Sequence, residues 1–143
     1  MNKKDFIEKV FVTQSSKETR NLGREFSKVL KKGDIICLYG NLGSGKTTFI
    51  QGLAQGLGIK NRIISPTFII IKKYKIRIND KGLMINDFYH IDLYRIESER
   101  DLKGLGIEEI INNKNNIVAI EWAEKLKSLM PVKRIDIKFY YEK

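Results

Sequence analysis

Cysteine, histidine, tryptophan and proline are scarce in this sequence of 143 residues, which has one, one, one and two of them. A single cysteine, Cys37, excludes an internal disulfide framework and any zinc site built from several cysteines. A single histidine, His90, cannot form a metal site alone, so a structural hydrogen bond is its expected role. Trp122 is expected in the core, with a ligand platform as the alternative.

Long apolar runs are also missing. No stretch approaches the roughly 20 apolar residues that a membrane-spanning helix needs, so no membrane association is expected. The N-terminal residues carry positive charge without an apolar segment behind them, which makes a secretory signal unexpected. Together with the single cysteine, these features favour a cytoplasmic location.

Acidic residues are the minority among the charged ones, 17 against 27 lysines and arginines, and the formal net charge is +10. Such an excess could reflect binding to nucleic acid or to an acidic partner. The alternative is the Lys-, Ile- and Asn-rich composition of an AT-rich coding sequence. The basic residues are scattered along the chain rather than gathered in one tail, which favours the compositional explanation.

Strand-like and helix-like segments alternate along the chain. The apolar run 35–39 has the length and continuity of a strand covered on both faces, and further β-like runs lie at 10–13, 117–120 and 134–141. Residues 68–78 and 83–93 flank a turn tetrad at 79–82 and predict a β-hairpin. Helical patterns are predicted at 16–31, 46–57, 97–111 and 123–130, the third of them broken near Gly104 and Gly106. This order predicts one domain over 1–143, an α/β fold with a three-layer, mostly parallel sheet that includes an antiparallel hairpin.

The loop after the first buried strand matches the Walker A pattern in full. Its backbone N–H groups and the following helix N-terminus would hold the phosphates of ATP. Lys46 would place its charge between the β- and γ-phosphates, Thr47 would be a Mg²⁺ ligand, and Thr48 would contact the α-phosphate. The nucleotide-binding residues expected in this loop are Asn41, Leu42, Gly43, Ser44, Gly45, Lys46 and Thr47.

A Walker A loop needs a further acid to organise the metal, and three carboxylates are candidates. Asp87 and Asp92 lie in the strand around His90, and Glu121 follows the apolar strand 117–120. Because buried strands of such proteins deliver their acid at the C-terminal end, beside the phosphate loop, Glu121 fits best. Asp92 could bind in the outer sphere of the metal or orient the attacking water.

Three further strings follow the Walker A loop in order: Ser65-Pro66-Thr67-Phe68, then His90-Ile91-Asp92-Leu93-Tyr94-Arg95, then Glu121-Trp122, with Leu105-Gly106-Ile107 before the last. Over roughly residues 8 to 141 the chain resembles the TsaE (formerly YjeE) family of bacterial P-loop ATPases. Those proteins are required for making threonylcarbamoyladenosine on tRNA.

The resemblance implies a weak ATPase that needs ATP and Mg²⁺ and acts with TsaD and TsaB, which modify the adenosine beside the anticodon; contact with tRNA would be indirect, through that complex. It implies Thr47 and Glu121 as metal ligands and Lys46, Asp92 and Glu121 as catalytic residues. Thr67 would act as a switch hydroxyl that senses the γ-phosphate. The helix start near Ser16 would lie near the adenine. With Trp122 after the acid, as in the family, a role at the site becomes as plausible as a core role.

The sequence departs from the family pattern in three places. Asn41 stands where aspartate is frequent, which we expect to change loop solvation rather than phosphate binding. Lys72 and Lys73 replace acidic or neutral residues and could alter contacts with a partner or tRNA. The chain ends at Lys143, before the C-terminal extension common in the family, so partner contacts of such an extension are not carried over.

Three other functions use a similar loop. A small-molecule kinase would need a lid with several arginines, and only Arg62 and Arg77 lie near the hairpin. A GTPase would need the guanine-reading Asn-Lys-x-Asp string, and residues 113–116 lack its aspartate. A nucleotide-gated binding module would bind ATP without hydrolysing it. No arginine occupies an obvious finger position, although Arg95 could serve as one.

Overall fold

The computed structural model describes residues 8–63, 70–77 and 85–141. Its elements are α1 (Ser16–Ser27), β1 (Ile35–Tyr39), α2 (Lys46–Gly56), β2 (Ile71–Arg77), β3 (Ile85–Asp92), α3 (Glu99–Lys103), α4 (Ile107–Asn112), β4 (Asn116–Glu121), the 3₁₀ helix η1 (Ala123–Leu129) and β5 (Ile135–Lys138). No helix within these ranges has the length and apolar character that a membrane crossing requires.

The five strands form one sheet in the order β2-β3-β4-β1-β5. The pairs β3–β4, β4–β1 and β1–β5 are parallel, and β2–β3 is antiparallel. The predicted mostly parallel sheet with one antiparallel pair is therefore confirmed. The turn tetrad at 79–82 lies outside the described residues, so the prediction for the hairpin's turn stays a prediction.

Alternating side chains of the strands fill two cores, one on each face of the sheet. On one face, Leu38 and Phe88 pack with Phe49, Ile50 and other residues of α2. On the opposite face, strand residues of the other parity pack with apolar residues of α3, α4 and η1. Helices thus cover both faces, which is the predicted three-layer arrangement.

Helices α1 and α2 pack unusually closely because glycines face the partner helix. A Cβ atom on Gly52 would lie 1.9 Å from the Arg20 carbonyl oxygen, and one on Gly23 would lie 2.2 Å from the Phe49 carbonyl oxygen. Only residues without a Cβ allow the backbones to approach this far. This packing holds the start of α1 near the start of α2.

Several predicted boundaries were wrong. Residues 10–13 form no strand; Val10 and Val12 are largely exposed, and β-branched residues without a partner strand gain nothing from extended pairing. Helix α1 ends at Ser27 rather than at 31. In the segment 97–111, by contrast, the predicted break near Gly104 and Gly106 is confirmed: α3 begins after the Ser98 N-cap, and Gly106, at φ 73°, precedes α4.

The last helical segment also differs from the expectation. Residues 123–129 form a 3₁₀ helix rather than an α-helix, and Lys127 interrupts it with φ 49° and ψ −114°. The final strand is shorter than predicted, at Ile135–Lys138.

Candidate functional site at the phosphate loop

The loop between β1 and α2 is shaped by glycines with positive φ. Gly43 has φ 77° and Gly45 has φ 107°, in the left-handed region that side chains rarely adopt. The Ser44 N–H donates to the Asn41 carbonyl at 3.1 Å. Asn41, Leu42 and Gly43 are exposed, whereas the helix that follows is largely buried. The loop therefore presents an open rim above a buried helix start.

Lys46 is a buried cation surrounded by neutral oxygens. Its Nζ donates to the carbonyls of Gly40 at 2.5 Å and Asn41 at 2.9 Å, and to Ser44 Oγ at 3.4 Å, while the residue is only 4% exposed. Within the part of the chain that the structure describes, no carboxylate lies within 4.0 Å of this ammonium. Burial lowers the pKa of Lys46, against the smaller effects of Glu121, Asp92 and Glu124. A buried cation of this kind fits an anionic group of a ligand.

Two of the three candidate acids end neighbouring parallel strands side by side. In the β3–β4 register Asp92 is opposite Glu121, and in the β1–β4 register Leu38 is opposite Glu121. Asp92 and Glu121 have the parity of Phe88 and Ile117, whose side chains face α2. Both carboxylates therefore point to the face where α2 begins, and both are buried.

The third candidate, Asp87, lies elsewhere. It has the opposite parity in β3, and its carboxylate pairs with Lys73 Nζ at 3.5 Å on the neighbouring strand. Asp87 is therefore not part of the phosphate-loop site.

The Glu121 carboxylate joins the phosphate loop to the sheet. The Thr47 hydroxyl lies 3.1 Å from Oε1 and 3.2 Å from Oε2. On its other side, Oε2 is 2.6 Å from His90 Nε2. His90 is fully buried, and the structural hydrogen bond expected of it is present.

The Asp92 carboxylate is held at the point where β3 ends. Its Oδ1 accepts a hydrogen bond from the Tyr94 N–H at 3.0 Å. This bond fixes the carboxylate relative to the chain that leaves the strand. Asp92 and Glu121 thus form a pair of oriented acids beside Lys46 and Thr47.

Comparison with known proteins identifies the family. A sequence model described as "Threonylcarbamoyl adenosine biosynthesis protein TsaE" matches residues 13–143. The chain belongs to the TsaE family. It is 38% identical over 125 residues to the tRNA threonylcarbamoyladenosine biosynthesis protein TsaE of Bacillus subtilis, covering 87% of this chain and 73% of that protein.

Other relatives of the same name are equally similar. The Rickettsia prowazekii protein is 39% identical over 86% of this chain and 80% of its own length, and the Aquifex aeolicus protein is 37% identical over 90% and 87%. Among solved structures, Bacillus subtilis YdiB superposes with a TM-score of 0.67 at 32% identity, covering 88% of this chain and 72% of YdiB. The sequence-based identification of the TsaE family is therefore confirmed.

In this TsaE-family chain Trp122 lies at the site rather than in the centre of the core. It is half-buried and has φ 58° directly after Glu121. The Lys46 Nζ is 4.7 Å from its ring centroid, and the Tyr94 ring is at 5.3 Å. Lys125 Nζ is 5.7 Å from the same ring and donates to the Tyr94 carbonyl. Sequence reasoning missed Lys125, because only a chain turn after Glu121 brings it to the indole.

The remaining predicted residues are Ser16, Thr48 and Thr67. Ser16 is exposed, and the N-cap is its neighbour Ser15, whose Oγ accepts from the Glu18 N–H at 3.1 Å. The start of α1 does lie beside the loop, since a Cβ on Gly45 would be 3.8 Å from Thr19 Cγ2. Thr48 is half-buried in the first turn of α2. Thr67 lies outside the described residues, so its role as a switch hydroxyl stays a prediction.

Proposed function

We propose that this TsaE-family protein binds ATP with Mg²⁺ and hydrolyses it slowly, as a component that acts with TsaD and TsaB in forming threonylcarbamoyladenosine on tRNA. The observation that carries the proposal is the buried Lys46 ammonium, whose hydrogen bonds to the described residues all go to neutral oxygens. The phosphates of ATP would replace those weak partners by charge-assisted hydrogen bonds.

The ATP-binding residues proposed in the loop are its exposed residues, Asn41, Leu42 and Gly43, and the residues at the start of α2. Backbone N–H groups at 41–45 and the N-terminal end of α2 would bind the phosphates. Thr48 would follow with the α-phosphate, and Ser16, near the start of α1, would lie toward the adenine.

The Thr47 hydroxyl and the Glu121 carboxylate fit a magnesium ion. Cis ligands of an octahedral Mg²⁺ lie about 2.9 Å apart, given metal–oxygen distances of 2.0–2.1 Å. The Thr47 hydroxyl oxygen is 3.1 Å from Glu121 Oε1 and 3.2 Å from Oε2, which is close to that spacing. Both are oxygen donors, which Mg²⁺ prefers. When bound, Mg²⁺ would offset the charge on the β- and γ-phosphates.

Asp92 is proposed to orient the water that attacks the γ-phosphate. Its carboxylate is buried and is held by the Tyr94 N–H at the strand end beside Glu121. A carboxylate fixed in this way would accept a hydrogen bond from the water and so align the water oxygen. Lys46 would stabilise the charge that develops on the transferring phosphoryl group.

Slow turnover by the isolated protein is expected because arginine fingers raise such rates by about 10³ to 10⁵, and the sequence offers none at an obvious position. We therefore propose that TsaD and TsaB stimulate hydrolysis. This would make the nucleotide site a timing element for the larger complex.

The deciding experiment measures phosphate release from ATP by the wild type alone, with TsaD–TsaB, and with TsaD–TsaB and tRNA. Lys46→Ala, Asp92→Ala and Glu121→Ala are compared under the same conditions. We expect weak turnover alone, a large rise with the partners, and loss of turnover in all three variants.

Two results would contradict this proposal in separable ways. Equal turnover with and without the partners would remove partner stimulation but leave an ATPase. Unchanged turnover in both Asp92→Ala and Glu121→Ala, with partner binding still dependent on ATP, would mean that the protein acts as a nucleotide-gated binding module.

A further inference from the structure

The His90 side chain makes one hydrogen bond among the described residues, and it goes to the acid of the phosphate-loop site. The residue lies in β3 with no exposed surface, and its Nε2 is 2.6 Å from Glu121 Oε2. Its other ring nitrogen, Nδ1, is buried without a hydrogen-bond partner among the described residues. Among the described residues, Glu121 is therefore the hydrogen-bond partner of this ring.

Packing alone does not explain a histidine at this position. Two neighbouring side chains on the same face, Phe88 and Ala119, are apolar and fully buried, while Lys72, opposite His90 in the β2–β3 register, is exposed. A leucine or phenylalanine would fill the space without leaving a buried nitrogen unpaired, and such unpaired atoms are destabilising. The fold tolerates the unpaired Nδ1 while keeping the bond from Nε2.

The direction of the hydrogen bond follows from the acceptor. A carboxylate oxygen accepts in this contact, so the imidazole Nε2–H is the donor. Glu121 is thereby held between two donors, the imidazole N–H on one side and the Thr47 hydroxyl on the other. A glutamate with three rotatable side-chain bonds gains a fixed orientation from this second donor.

We propose that His90 is a positioning residue that fixes the Glu121 carboxylate against Thr47 and thereby sets the affinity of the site for Mg²⁺ bound with ATP. The inference rests on the proposed function, since it needs ATP and Mg²⁺ at this site. Partners that orient a metal-binding carboxylate commonly contribute 10–100-fold to metal affinity, so we expect an effect of at least about tenfold here.

A matched pair of amide variants separates the hydrogen bond from the bulk of the ring. In His90→Gln the amide nitrogen can occupy roughly the position of Nε2 and can donate to Glu121. In His90→Asn the shorter side chain places its amide near Nδ1, where no described group receives it. His90→Leu serves as a second variant without a donor, in case the asparagine variant does not fold.

The measurement is calorimetric binding of ATP to the wild type and each variant, once with Mg²⁺ and once with EDTA. The ratio of the two affinities is the gain due to Mg²⁺. Circular dichroism and thermal unfolding without nucleotide confirm that the variants are folded.

We expect the gain due to Mg²⁺ to fall about tenfold or more in His90→Asn and His90→Leu, with affinity in EDTA unchanged, and to be largely retained in His90→Gln. The loss should disappear in a Glu121→Ala background, because His90 then has no carboxylate to orient. A folded donor-free variant with the full gain would overturn the proposal while leaving the ATP site intact. Absence of ATP binding by the wild type would instead overturn the proposed function and this inference with it.

Discussion

The Thr47 hydroxyl lies 3.1 Å from Glu121 Oε1, although 74 residues separate the two in the chain. The contact exists because Thr47 lies in the first turn of α2 while Glu121 ends β4, and β4 pairs in parallel with β1, the strand that leads into the loop. One hydroxyl and one carboxylate thus meet where a nucleotide-bound metal would be held.

Removing the Glu121 carboxylate tests this relationship. Glu121→Ala should lower the affinity for Mg²⁺-ATP by about tenfold or more, because the oxygens facing Thr47 are lost. Affinity for ATP in EDTA should not fall, since no phosphate contact is removed. Calorimetric titration under the two conditions measures both effects.

Glu124→Ala is the matched control for that change. Glu124 is an exposed acid in η1, three residues after Glu121. Its substitution by alanine changes the net charge by the same amount as Glu121→Ala. We expect nearly wild-type Mg²⁺-ATP affinity. An equal loss in both variants would show that total charge, and not the contact with Thr47, governs binding.

Trp122 should report nucleotide binding through its fluorescence. It is the only tryptophan in the sequence, and the Lys46 ammonium is 4.7 Å from its ring centroid. Phosphates that draw Lys46 into new hydrogen bonds would change the charge next to the indole. ATP should therefore shift the emission intensity in a saturable manner, and Lys46→Ala should abolish the shift. A full response in that variant would contradict the proposed role of Lys46.

Helix packing gives a stability prediction. Gly52→Ala should destabilise the protein by about 1–3 kcal/mol, because the new Cβ would lie 1.9 Å from the Arg20 carbonyl oxygen and force α1 and α2 apart. Urea unfolding followed by circular dichroism gives the free energy of unfolding. The same variant should also bind ATP more weakly if the start of α1 contributes to the site.

Gly104→Ala is the control for Gly52→Ala. Gly104 has φ −78° and ψ −6°, and a Cβ there would meet no atom within 4 Å. We expect a gain of about 0.4–1 kcal/mol from the smaller conformational entropy of the unfolded chain. A loss of stability similar to that of Gly52→Ala would argue against close helix packing as the cause.

Cys37 should be unreactive in the folded protein. Burial raises the pKa of its thiol from 9.0 to about 12, with a smaller contribution from Asp136. The thiolate is the reactive form, so a thiol reagent at pH 8 should modify the protein only after denaturation. Rapid native labelling at a rate similar to that of the denatured chain would contradict the burial of Cys37.

The same shift predicts loss of stability at alkaline pH. Between pH 9 and about 12 the thiol is ionised in the unfolded chain but protonated in the folded one, so unfolding releases a proton and stability falls as pH rises. The slope due to Cys37 is at most about 1.4 kcal/mol per pH unit. The pKa of Tyr39 is also raised, chiefly by burial, and acts in the same direction. In Cys37→Ala the free energy of unfolding should therefore fall less steeply than in the wild type as the pH rises above 9.

Sequence patterns predicted the sheet and the phosphate loop because their signals are local. The apolar run of β1, the glycines of the loop and the helix that begins at Lys46 are neighbours in the chain, and each constrains the backbone directly. Residues 10–13 misled the same reasoning, since β-branched residues favour a strand only where another strand pairs with them.

The sequence by itself determined the α/β class, the phosphate loop and the TsaE family, because spacing and residue type carry that information. Only the tertiary structure decided which acid faces the loop: Asp87 and Asp92 differ in parity along β3, and the β3–β4 register brings Asp92 beside Glu121. It also decided that His90 donates to Glu121 and that Trp122 lies next to Lys46. These contacts join separate strands and helices, so they depend on strand register and helix packing, which no local pattern in the chain specifies.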